Sequence, residues 1–142
     1  MTQEEARWFF GRPRRIASGI RQREMQIEEL KGSLLPHGIR YDGDKVQTSP
    51  DDTLSRVMAR IDELEREIEE MRKARADALV DVGRAIEQVR DPLSAEIMTE
   101  FFVNDKKAAD IAEERNYTMR WIHQRMQDAI EEMKGDAKCS DS

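Results

Sequence analysis

Residues 119–127 read Met-Arg-Trp-Ile-His-Gln-Arg-Met-Gln. Arg120 and Gln124 stand one helical turn apart, so a helix carries both on one face, opposite Ile122, Met126, Ala129, Ile130 and Met133. A guanidinium presents a fork of donors that matches guanine, and a carboxamide pairs a donor and an acceptor that match adenine. Met119, Trp121 and His123 flank them and complete a set of base-contacting candidates. Around this face, Lys106, Lys107, Arg115, Thr118 and Arg125 are types suited to phosphate oxygens. The chemistry on offer is hydrogen-bonded recognition of DNA rather than bond-making. The competing reading is the polar outer face of an ordinary bundle helix.

Nothing else in the chain organises a reaction. His37 and His123 are far apart in sequence, with no second ligand at metal spacing. No Walker A loop, nucleophile elbow or His-Glu-x-x-His is present. No enzyme, cofactor or metal site is expected. The single Cys139 excludes a disulfide framework within the chain and fits a reducing, cytoplasmic setting. No apolar run approaches the roughly 20 residues that span a bilayer, so no membrane association is expected. "MTQEEARWFF" is acidic before it is apolar, unlike a secretory signal.

Charge constrains the DNA reading. The net charge is −6, and residues 91–142 hold 7 Lys/Arg against 12 Asp/Glu. Whole-body attraction to nucleic acid is excluded, and any contact must come from a local cationic face.

The elements that must position this face are helical. With 38% charged and only 6% aromatic residues, the chain fits extended helices that bury a stripe rather than a deep globule. Ile16, Ile20, Ile27 and Leu30 predict an amphipathic helix over 15–31 that ends near Gly32. A Pro- and Gly-bearing loop of ~17 residues comes next. Ser49 then caps, and Pro50 opens, a long helix. Its heptad seam runs through Leu54, Val57, Ile61, Leu64, Ile68 and Met71. The seam softens at Arg75, read as a stutter, and resumes at Leu79, Val82, Ile86 and Val89. Whether it pairs with the first helix or with a second copy, as a homodimer through a coiled coil, is left open by the pattern.

Asp91-Pro92 stops this rod and caps the next helix. Three short helices fit 92–102, 106–115 and 118–134, and the last two have helix-turn-helix spacing. Ala112 is small where two helices cross. Asn116 tolerates the left-handed turn, and Thr118 caps the last helix. Ile111 and Ile122 are expected to pack onto Ile97, Met98, Phe101 and Phe102. The reading is all-α: a helical hairpin or coiled-coil stalk over 1–90, a helix-turn-helix domain over 91–135, and a disordered tail over 136–142.

The stretch from Asp91-Pro92 through Ile111-Ala112-Glu113-Glu114, Tyr117-Thr118, Ile122 and Ala129-Ile130 resembles sigma-70 region 4 as found in small phage transcription regulators of the ArpU/RinA type. Their linker and long helix resemble residues 38–68, so the likeness covers about residues 38–134. It implies a phage- or prophage-encoded sigma-like factor or late-gene activator, acting on promoter DNA with host RNA polymerase inside the bacterial cell. The family pattern has apolar residues where Arg115 and Arg125 stand, and Gly where Asn116 stands. Two Arg at usually buried positions imply a shifted or shallower core, or side chains that snorkel out to phosphates.

Two rival readings accompany this one. A small-terminase-like packaging protein also joins a helix-turn-helix to a coiled coil, but forms large rings. An adaptor would keep the fold without binding DNA, in keeping with the acidic surface. The segment "RWFFGRPRR" (7–15) reads either as an arm onto DNA or polymerase, or, preferably, as aromatics docking on the helical hairpin with solvated Arg beyond.

Overall fold

A capping box opens the chain: Thr2 Oγ1 accepts from the Glu5 amide at 3.1 Å, and the Glu5 carboxylate accepts from the Thr2 amide at 3.3 Å. The computed structural model describes residues 2–34 and 50–140. It is all-helical, with no strand among those residues: α1 (Gln3–Ser33), α2 (Pro50–Ile86), α3 (Pro92–Met98), α4 (Ala108–Arg115) and α5 (Met119–Ser140). The expected loop before Pro50 and the Ser49 cap lie outside the described residues, apart from the first positions of that loop.

Helix α1 begins twelve residues earlier than the sequence predicts, carrying 7–15 within it rather than leaving it as an arm. Pro13 lies inside this helix and is fully buried. It has no N–H for the Phe9 carbonyl, and the Arg15 guanidinium donates to the neighbouring Trp8 carbonyl at 2.7 Å. Burial of Phe10 and Pro13 outweighs the local penalty for proline.

The chain divides into two compact units, Ile16–Ala74 and Met1–Arg15 with Arg75–Ser142. In the first, Ile20 and Ile27 of α1 pack with Ile61, Leu64 and Ile68 of α2. Arg23 pairs with Glu67 at 3.0 Å and Arg72 with Glu24 at 3.3 Å. Early residues of α1 thus meet late residues of this part of α2, and the two run antiparallel. A Cβ on Gly19 would come within 2.6 Å of the Met71 methyl, so the absence of a side chain admits Met71. The seam is closed within the chain here, although Leu54, expected on the buried stripe, is 46% exposed.

The second unit carries the C-terminal helices, and its core reaches back into α1 and α2. Ala6, Phe10, Val82 and Ile86 belong to the same buried cluster as Ile97, Phe102, Ile111 and Ile122. The Phe10 and Phe102 rings lie 5.4 Å apart. The division into compact units thus falls at 15/16 and 74/75. Helix α2 runs unbroken from Pro50 to Ile86, and its register does not slip at Arg75, where the stutter was expected. Ala78, not Leu79, is the buried residue after Arg75, which keeps the three–four spacing from Met71 to Val82. Arg75 occupies a seam position, and its Nε is buried without a hydrogen-bond partner among the described residues.

Asp91 caps α3 as its sequence context predicts: its Oδ2 accepts from the Ser94 amide at 3.0 Å and the Ser94 hydroxyl at 2.8 Å. The end of that helix differs from expectation. It widens over Thr99–Val103 into a π-type turn, with the Asn104 amide donating to the Thr99 carbonyl at 2.9 Å. At the other end of the unit, α5 continues through Gly135 to Ser140 where a disordered tail was expected. A single helical glycine costs about 1 kcal/mol relative to Ala and need not end a helix.

Phe10→Ala is expected to cost about 3–5 kcal/mol in chemical denaturation of the full chain, as for other buried Phe truncations. Trp8→Ala, at a side chain 67% exposed, is expected to cost under about 1 kcal/mol, the scale of its cation–π contact with Arg15.

Candidate nucleic-acid interface

The face bearing Arg120 and Gln124 is set by the turn between α4 and α5. Asn116 is left-handed at φ 62° and ψ 40°, a conformation that Asn tolerates better than most residues. The Asn116 amide donates to the Glu113 carbonyl at 3.3 Å and the Tyr117 amide to the Ala112 carbonyl at 2.9 Å. These two bonds form a Schellman closure. Thr118 Oγ1 then accepts from the Trp121 amide at 3.0 Å, capping α5. Ile111 and Ile122, on either side of the turn, are fully buried, and Ala112 is buried beside them.

With Ile122, Met126, Ala129 and Ile130 buried, the opposite face of α5 is open. Arg120, His123 and Gln124 are exposed, and Met119 is 48% exposed. Arg120 makes no ion pair among the described residues. The Gln124 amide is occupied, donating to Asp128 Oδ1 at 2.9 Å. This is an exposed bond between residues four apart, worth a few tenths of a kcal/mol and readily exchanged. Trp121 is half-buried and stacks on Tyr117 at 3.8 Å with rings 13° from parallel. His123 stands edge-on to Phe101 at 6.2 Å.

The residues expected to hold phosphates are placed differently. Lys106 Nζ donates to Glu114 at 2.6 Å and lies 3.9 Å from Glu100. Arg115 grips Glu100 with two bonds, Nε to Oε2 at 3.2 Å and Nη2 to Oε1 at 3.0 Å, and reaches Glu96 at 3.5 Å. Arg125 donates to Asp91 at 2.6 Å and to the Ser94 hydroxyl at 3.0 Å, with its guanidinium 5.4 Å from the Trp121 ring. These three cations are committed to carboxylates of their own unit, while Thr118 serves as the cap. Lys107 is exposed in front of α4 and makes no ion pair among the described residues.

Arg115 and Arg125 therefore settle the choice between shallow core and snorkelling in a third way. Each sits half-buried at the rim of the core and ties a preceding helix to the turn or to α5. The Arg115 hydrogen bonds hold Glu100 below its ordinary value of 4.5, against the opposing effect of desolvation, and the same pairing raises Arg115. Hydrogen bonds from Ser94 and Arg125 hold Asp91 below 3.8. The bond to Glu114 raises Lys106.

Some positioning groups escape sequence reasoning. Arg14 donates to the Phe101 carbonyl at 3.0 Å and the Lys106 carbonyl at 3.1 Å, pairs with Asp105 at 3.4 Å and covers the Phe101 ring at 4.2 Å. It staples the turn before α4, in which Asp105 takes a positive φ of 59°. No local signal marks it. The Tyr117–Trp121 stack, by contrast, was available from its four-residue spacing. Among the described residues, no cluster of three His, Cys, Asp or Glu is placed to hold a metal ion, and no helix is long and apolar enough to cross a membrane. Comparison with protein-family models, curated protein sequences and solved structures finds no match for this chain.

The carboxylate clasps fix the sign of a pH dependence. Because Glu100 is depressed in the folded chain, its stabilisation is fully present above 4.5 and is lost as pH falls through the lower folded value. Asp91 acts in the same direction below 3.8. Thermal melts are expected to show a falling midpoint as pH drops from about 5 towards 3. Glu100→Gln is expected to lower the midpoint at pH 7 and flatten that decline; an unchanged profile would show that the clasp contributes nothing.

Proposed function

We propose that the unit carrying α3–α5 is a helix-turn-helix domain and that α5 enters the major groove of double-stranded DNA. The observation that carries this reading is the exposed Arg120–Gln124 pair on the first turns of a helix whose opposite face is buried. A helix presented in this way reads bases with its N-terminal outward side chains. Arg120 is assigned to guanine, and Gln124, on releasing Asp128, to adenine. Met119, Trp121 and His123 border the read bases, and Lys107 supports a phosphate. The antiparallel α1–α2 segment serves as the hairpin stalk.

On this reading the protein is a sequence-specific transcription regulator, of the sigma-like or late-gene-activator kind encoded by phages. Promoter DNA is its ligand and host RNA polymerase its partner. A second reading, a protein adaptor with a helix-turn-helix that does not bind DNA, is favoured by one observation: Lys106, Arg115 and Arg125 are internally neutralised.

Selection from a random duplex pool distinguishes them. The regulator should enrich a defined site. Arg120→Ala and Gln124→Ala should each then lose about 1–3 kcal/mol of discrimination at one position, or roughly 5- to 150-fold, with unchanged melting temperature. Failure to enrich any sequence would remove the regulator and leave the adaptor.

A further inference from the structure

With Lys106, Arg115 and Arg125 committed elsewhere, α5 has few cations left on its own side of the molecule. The first turns of α1 supply another. Gln3 and Arg7 line one open cleft with His123 and Gln127 of α5, over an apolar floor that includes Phe101 and Met126, with a volume of about 290 Å³. Arg7 is exposed and makes no ion pair among the described residues. On α5, His123 and Gln127 occupy the flank next to Arg120 and Gln124, on the opposite side from Trp121 and Arg125. The α1 segment therefore borders the proposed reading face along one edge. On the far end of that face, Asp128 and Glu131 are exposed, which confines an anion to the N-terminal turns.

We infer that Arg7, supported by the Gln3 and Gln127 amides at the same cleft, is a phosphate-binding residue that holds the DNA backbone beside α5. The ligand class is a phosphodiester: the guanidinium takes the anionic oxygens while the sugar carbons meet the apolar floor. This rests on the DNA reading above and extends it to a helix that the sequence places some 110 residues away. Arg14, seven residues further on the same α1 face, is spent on the turn before α4, so Arg7 is the α1 cation left to act there. Arg12 points elsewhere on the helix wheel, roughly 140° from Arg7, and provides a control of equal charge.

The test is the salt dependence of binding of the full chain to a mixed-sequence 30-base-pair duplex, followed by fluorescence anisotropy. Each phosphate contact contributes about 0.9 to the slope of log K against log salt. Arg7→Ala should reduce the slope by about that amount, Arg7→Lys should restore most of it, and Arg12→Ala should leave it unchanged, with all melting temperatures equal. Equal slopes for Arg7→Ala and the parent, or equal losses for Arg7→Ala and Arg12→Ala, would overturn the clamp while leaving the DNA reading standing. A parent chain with no salt-dependent binding would remove both.

Discussion

The reversal at Asn116 controls what α5 presents. Its left-handed backbone and the two amides that close on Ala112 and Glu113 fix where α4 ends. The burial of Ile111 and Ile122 then fixes the rotation of α5 about its axis. A turn of that axis by one residue's spacing would carry a neighbour of Ile122 into a cluster with no room for a polar group, at a cost of about 1–3 kcal/mol for each unpaired atom. Exposure of Arg120 and Gln124 is thus a consequence of apolar packing on the other face. Nothing about their own chemistry puts them there.

Electrostatics supports that geometry from the rim. An acidic unit needs its cations to neutralise its own carboxylates where helices meet, and Arg suits this because its planar fork matches a carboxylate. Arg115 ties α4 to the widened turn after α3, while Arg125 ties α5 to the cap of α3. Arg14 performs a related task on backbone carbonyls. Each is partly exposed, so its value is less in gross energy than in setting the angle between short helices that share little apolar surface. The consequence for function is direct: Lys106, Arg115 and Arg125, which look like phosphate-binding side chains in sequence, are fasteners of the fold.

Legibility in the sequence tracks the range of the forces involved. The α4–α5 turn, the Asp91 cap and the buried edge of α5 depend on neighbours within a few residues, and Asn116, Thr118 and the Ile/Met spacing announce them. The extension of α1 through Pro13 depends on Phe10 meeting Phe102, a contact about ninety residues distant in the chain, so no neighbouring residue announced it. Arg75 was read as a break because a cation contradicts a seam, yet the three–four spacing passes through it to Ala78. In the candidate site, the outward position of Arg120 and Gln124 was legible from periodicity. The pairing of Lys106, Arg115 and Arg125 was not, since a sequence records charges but not which of them meet. The Thr2–Glu5 capping box was visible as Thr-x-x-Glu and marks the true start of α1.

Under the proposed reading, the narrowness of the face sets a limit on what one chain can achieve. Asp128 and Glu131 end the usable surface after about two turns, leaving two bidentate readers. Two such contacts discriminate by about 2–6 kcal/mol, against about 4–10 kcal/mol separating specific from non-specific sites in typical DNA-binding proteins. The difference has to come from DNA shape or from a second module bound alongside. A net charge of −6 also denies the chain the long-range attraction that raises non-specific affinity and encounter rate. If the proposed reading holds, such a protein gains occupancy when something else brings it to DNA, which is the physical reason that reading pairs it with a polymerase rather than making it a solitary repressor.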